Sequence, residues 1–119
     1  MVIRSTQMQQ IATISDARFF NRVRQHVLDS HPDSCSRHDE STLDLLTWKA
    51  IQIARYYGLF DFTSAAWFAS AMIEINPAFY TQSSIDHWLR NVAIPPEDRV
   101  RIMLVKTTSI DWAEARVIS

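Results

Sequence analysis

The densest group of side chains able to do chemistry lies in "HPDSCSRHDE", residues 31–40, which holds His31, Cys35 and His38 with Asp33 and Asp39 beside them. Imidazole, thiolate and carboxylate are all zinc ligands, so His31-x3-Cys35-x2-His38 is the best metal candidate in the chain. A closed zinc site needs four converging donors, however, and the second C-x2-C pair that would complete it is absent, since Cys35 is the single cysteine. Cys35 and His38 also have the residue types of a nucleophile and its base. Sequence proximity supplies neither the hydrogen-bond geometry nor the oxyanion donors that such chemistry needs. The stretch therefore reads as a solvated polar loop with a free thiol. The acidic pairs Asp39-Glu40 and Glu97-Asp98, and Asp111 with Glu114, fall where helices are expected to begin, and capping and helix-dipole compensation account for them without acid–base catalysis. Gly58 is the only glycine, so no Gly-rich phosphate loop exists. No catalytic residue, bound metal or cofactor is assigned, and the chain is expected not to be an enzyme.

The second group is aromatic. "RYYGLFDFTSAAWFASAM", residues 55–72, carries six rings within one turn and its flanking helices. On a helix from about Thr42, the residues Leu43, Leu46, Ala50, Ile53, Ala54 and Tyr57 share one face and form a core stripe. Trp48 falls outside that stripe with Asp44, Gln52 and Arg55, and Tyr56 lies with Lys49 and Gln52. On the next helix Ala65, Phe68, Ala69, Met72 and Ile75 form the core face, whereas Trp67 lies with Ser64, Ala71 and Glu74, and Phe62 sits at a margin. Two readings follow. The rings are covered by the N- and C-terminal helices of a small bundle, the reading that spacing alone favours, or Trp48, Arg55, Tyr56, Phe62 and Trp67 belong to a protein-binding patch, since interface anchors favour Trp, Tyr and Arg.

The elements that position these residues are helices almost throughout. One glycine and four prolines leave few sites for tight hairpins. Met8, Ala12, Phe19, Val23 and Val27 predict one long amphipathic helix, or two with a break near Ile14-Ser15-Asp16, before His31-Pro32. Ser41-Thr42-Leu43-Asp44 matches a capping box, and Gly58 is suited to stop that helix in the left-handed conformation, with Leu59 supplying the hydrophobic contact beyond it. Asp61 caps a helix over roughly Phe62 to Ile75, ended by Asn76-Pro77. Ser83-Ser84-Ile85-Asp86 repeats the capping pattern and opens a helix through about Val92, with Ile85, Trp88, Leu89 and Val92 on one face. Pro96 begins a fifth helix, and Thr108-Ser109-Ile110-Asp111 caps a last one bearing Trp112. The expectation is one all-α domain over residues 1–119, a bundle of about five to six helices.

Composition limits the partners. Twelve Lys and Arg against 13 Asp and Glu give a net charge of −1, with no general attraction for nucleic acid or anionic lipid. The longest apolar uncharged run, residues 62–73, is too short to span a bilayer, and the N-terminal residues lack the apolar segment of a signal peptide, so a cytoplasmic location and no membrane partner are expected. "TQSSIDHWLR", residues 81–90, has the Ser-Ser-Ile-x-x-Trp-Leu pattern of a helix-turn-helix recognition helix. Asp86 stands against Arg90 there, though, and recognition helices bring basic or amide groups to phosphates and bases, so nucleic acid is the weaker alternative.

Taken together, "VIRSTQMQQI", "HVLDSHP", "AIQIARYYGLFDF", "MIEINPAF", "IPPEDRVRIML" and "DWAEA" resemble a family of short all-helical accessory proteins encoded in bacterial type VI secretion effector loci. The likeness spans most of the chain and rests on helix junctions and core positions, none of them catalytic. It departs at Phe60 to Trp67, where this chain is less polar. The resemblance implies a cytoplasmic accessory of toxin delivery that binds an effector or spike component as adaptor or chaperone, or an immunity protein that occludes a toxin. All three roles are stoichiometric protein binding, and self-association is compatible with each.

Overall fold

The computed structural model describes residues 2–118, with side chains from Asp16 onward. The order is α1 (Val2–Ser30), α2 (Pro32–Cys35), α3 (Glu40–Tyr56), α4 (Phe62–Glu74), a 3-10 turn (Phe79–Thr81), α5 (Ser83–Leu89), α6 (Pro96–Lys106) and α7 (Ser109–Arg116). Among the described residues there is no strand, and the chain is an all-α bundle. α1 passes through Ile14-Ser15-Asp16 unbroken, because no proline or glycine there interrupts the hydrogen-bond ladder. Met8 and Ala12 lie outside the residues whose side chains are described.

Helix α4 is the centre of the bundle. Its mostly apolar sequence buries Ala65, Phe68, Ala69 and Met72 as the spacing predicts, and also Ser64, Ala66, Ala71 and Ile73 on its other sides. A helix apolar nearly all round is one packed from several directions. α1 meets it through Val23 and Val27, and α3 through Leu43, Leu46, Ala50, Ile51 and Ala54, all in one continuous core with Phe79, Ile85, Leu89 and Met103.

The α3–α4 corner forms as its sequence requires. Gly58 has φ +86°, the left-handed region open to glycine, and the Leu59 and Gly58 amides donate to the Ala54 and Arg55 carbonyls at 2.8 and 2.9 Å. This is a Schellman closure, and Leu59 is fully buried beyond it. Asp61 then caps α4 by accepting from the Ser64 amide at 2.9 Å.

Other boundaries correct the sequence reading. Residues 31–40 are not wholly loop, since Pro32–Cys35 forms one helical turn with proline at its start. The cap of α3 is Asp39 rather than Ser41: its carboxylate accepts from the Thr42 amide at 2.7 Å, and hydrogen bonding from Thr42, its side chain first and its amide second, holds the Asp39 pKa below the usual range. Asp44, expected in a capping box, pairs instead with Arg24 of α1 at 2.6 Å. The cap of α5 is Gln82, whose Oε1 accepts from the Ile85 amide at 2.9 Å while its Nε2 reaches Asp111 of α7 at 3.3 Å. That tertiary anchor holds a long side chain in a role usually taken by serine, and Ser83 stays exposed. α5 ends at Leu89, which leaves Val92 exposed rather than on the core face. The α7 cap is as expected, a reciprocal box between Thr108 and Asp111.

Candidate functional site

The aromatic residues outside the core stripes divide into three settings. Trp48 lies flat on Phe20 of α1, with ring centroids 4.8 Å apart and 17° between planes. Arg55 pairs with Asp16 at 3.3 Å and sets its guanidinium over the Phe19 ring. Phe62 meets Phe19 edge-on at 6.4 Å and His26 at 5.7 Å, and the Arg22 guanidinium stacks 4.5 Å from its centroid. The N-terminal helix thus covers all three. Trp67 is enclosed by Phe68, Phe79 and Trp112 at 5.5, 5.4 and 6.2 Å, and the last of these comes from the C-terminal helix. Tyr56 alone of the five stands in solvent, 70% exposed, with its hydroxyl accepting from Arg90 at 3.2 Å. The five residues are not gathered into one patch.

Two of them, Phe62 and Trp67, are brought together in a groove of about 680 Å³ along the outer side of α4. Its floor is Thr63, Ala66, Ser70 and Ala71, small residues that let a visitor approach the α4 backbone. One wall is α1, through His26 and the following His31, and the other is formed by Leu104 of α6 with Trp112 and Arg116 of α7. Trp112 is held in place by stacking on Phe79, 19° from parallel, and by donating its indole N–H to Thr107 at 3.0 Å. The end of α7 is fastened to the end of α4 by Asn76, whose amide donates to the carbonyls of Arg116 and Ile118 at 3.0 and 2.6 Å. Sequence reasoning missed this wall because Trp112 and Arg116 lie about 40 residues beyond α4, with no local pattern to mark them. The one available signal was that Trp67 and Trp112 each needed a large partner.

At the Glu74 end the groove is closed by a polar chain. Arg37 donates to the Ser34 hydroxyl at 3.0 Å, Ser34 donates to Glu74 Oε1 at 2.7 Å, and His31 Nδ1 stands 2.8 Å from the same oxygen. The Ser34 hydrogen bond first, and the His31 charge next after it, hold the Glu74 carboxyl below its ordinary pKa. This polar chain takes up one position of the metal candidate, His31. His31 faces Glu74, whereas buried Cys35 directs its thiol to the Val27 carbonyl, and burial pushes that thiol's pKa up, away from the reactive thiolate. Among the described residues no three His, Cys, Asp or Glu side chains converge on a possible metal position.

The remaining motif, residues 81–90, packs beside the C-terminal end of α3, where Tyr57 meets Asp86. Ile85 and Leu89 are buried, and Asp86 accepts from Tyr57 at 2.7 Å and from Arg90 at 2.8 Å. Burial and that bond together raise the Tyr57 pKa. Residues 75–82 separate α4 from α5, longer than the three- or four-residue turn of a helix-turn-helix, and the exposed cation of α5 is committed to Asp86. Among the described residues no helix is long and apolar enough to cross a membrane. Comparison of the chain with protein-family models, with curated proteins and with solved structures finds no match.

Proposed function

We propose that the chain is a non-enzymatic protein-binding accessory, an adaptor or chaperone that holds a secreted effector or spike component of a type VI secretion locus in the groove along α4. The observation that carries this reading is the groove itself. It has a floor of small residues flanked by Phe62, Trp67 and Trp112, and protein partners fill such surfaces with large side chains. The one carboxylate that lines it, Glu74, is engaged with Ser34 and His31 rather than set beside a reacting centre. The sequence resemblance supplies the secretion-locus setting and the class of partner.

The test is affinity capture of the tagged protein from its native bacterium, with mass spectrometry and light scattering of the eluate. The expected result is a stoichiometric complex with a secretion effector or spike protein. That complex is lost in Ser70→Trp, which fills the groove from a partly exposed position, and kept in Tyr56→Ala. Loss in Tyr56→Ala with retention in Ser70→Trp would move the binding surface to the Arg90 side and sink the groove reading. Neutralisation of a captured toxin in a growth assay would assign the immunity role in place of delivery.

A further inference from the structure

The ends of the groove are charged in a pattern that defines its occupant further, if the groove is the binding surface proposed above. α1 runs beside α4 in the same direction, since Phe19 meets Phe62 at one end and His31 meets Glu74 at the other. Arg22 therefore stands at the Phe62 end, on the α1 wall. Arg116 stands at the opposite end, on the α7 wall, where Asn76 binds its carbonyl. Among the described residues neither guanidinium forms an ion pair, and Arg22 makes only its cation–π contact with Phe62. The one carboxylate that lines the groove, Glu74, is occupied by Ser34 and His31. Two unpaired cations thus stand at diagonal ends of the groove, Arg116 in its lining and Arg22 just outside it, stacked on the lining residue Phe62.

The trough follows α4 from Phe62 to Ile75, ~20 Å at the helical rise, which is the length of three to four turns of a second helix. Ala66 and Ser70 lie one turn apart on the floor and give close approach along that line. From this geometry we infer that the groove takes an acidic amphipathic α-helix of the partner protein. Its apolar stripe lies on Ala66 and Ser70 between Phe62, Trp67 and Trp112, and carboxylates three to four turns apart, on opposite flanks, meet Arg22 and Arg116. The apolar contact supplies affinity, and the two cations set the direction and the sign of the flanks.

Three synthetic helical peptides of ~18 residues test this, each with one leucine stripe at three- and four-residue spacing and with flanks of Glu, Gln or Lys. Binding is read by Trp fluorescence and by calorimetry. The Glu peptide is expected to bind about tenfold more tightly than the Lys peptide, with the difference shrinking in high salt. The double variant Arg22→Glu/Arg116→Glu, whose changes are at surface positions, is expected to invert that order, and Ser70→Trp to abolish binding of all three. Equal affinity for the three peptides, lost in Ser70→Trp, would overturn the acidic-helix inference and leave the groove reading standing. Binding of none, binding of dodecanoate in their place, or a homodimer that Ser70→Trp dissociates would each overturn the inference. In those cases capture from the native bacterium decides separately whether the groove holds a partner.

Discussion

Arg99 is the residue on which the second half of the fold depends most directly. It is 4% exposed, and it donates to the carbonyls of Tyr57 at 2.5 Å, Ile94 at 3.0 Å and Leu89 at 3.5 Å. Tyr57 and Leu89 close α3 and α5, so the buried guanidinium lies between two helix C-termini. Their partial negative charge compensates it where no carboxylate does. Arg99→Met would leave buried carbonyls without a donor, a loss of about 3 kcal/mol. Arg99→Lys should recover less than half, because an ammonium cannot span the same acceptors. Urea unfolding of both variants checks this, and a Met variant as stable as the parent would refute it. Glu74 gives a second prediction. Its carboxyl is held below its ordinary value by Ser34 and His31, so the stabilisation it contributes is present above that ordinary value, about 4.3, and is lost as pH falls through the lowered folded value. The gap in urea midpoint between the parent and Glu74→Gln should therefore be open at neutral pH and narrow as pH falls below the ordinary glutamate value. A gap that stays constant over that range would show that the carboxylate's ionisation is not involved.

Among the elements, α7 determines whether the groove has two walls. It buries only Ala115 fully, and it is held by Trp112 against Phe79 and Trp67, by the Gln82 bonds to Asp111 and Glu114, and by Asn76 at its end. Trp112→Ala removes the largest of these contacts and should cost ~3 kcal/mol. It should also expose Trp67, shifting tryptophan emission to the red in the folded protein. An unshifted spectrum would mean that other groups cover Trp67. The helices themselves were legible in the sequence where a single residue decides an end locally, as Gly58, Asp61, Pro96 and Thr108 do. Asp39 is a local cap that was passed over for Ser41, and other ends were misread where a tertiary contact decides them. Gln82 caps α5 because Asp111 and Glu114 anchor it, and Asp44 leaves its expected capping role for Arg24, and neither partner lies nearby in sequence. The candidate site follows the same division. Phe62 and Trp67 stood out by their helical angle alone, whereas Trp112, Arg116 and His31 join them only through packing of distant segments.

For the molecule as a whole, the groove is bounded by elements of unequal attachment. α1 and α4 meet through fully buried Val23, Val27, Phe68 and Met72, whereas Leu104, Ile110 and Val117 of the α6–α7 region face solvent. Segments with few buried apolar contacts open at low free-energy cost, so α7 amides should exchange hydrogen fastest among the helices after Asp16, and those of α4 slowest. A partner seated in the groove touches the α1, α4 and α7 walls at once and binds only when α7 is docked, so it stabilises α7 by mass action. At a hundred times the dissociation constant this amounts to about 2.7 kcal/mol, or roughly a hundredfold slower exchange. Exchange measured with and without the acidic helical peptide should show that slowing concentrated in α7. Uniform slowing of every helix would place the effect in global stability instead, and slowing confined to α5 and Tyr56 would place the partner on the Arg90 side.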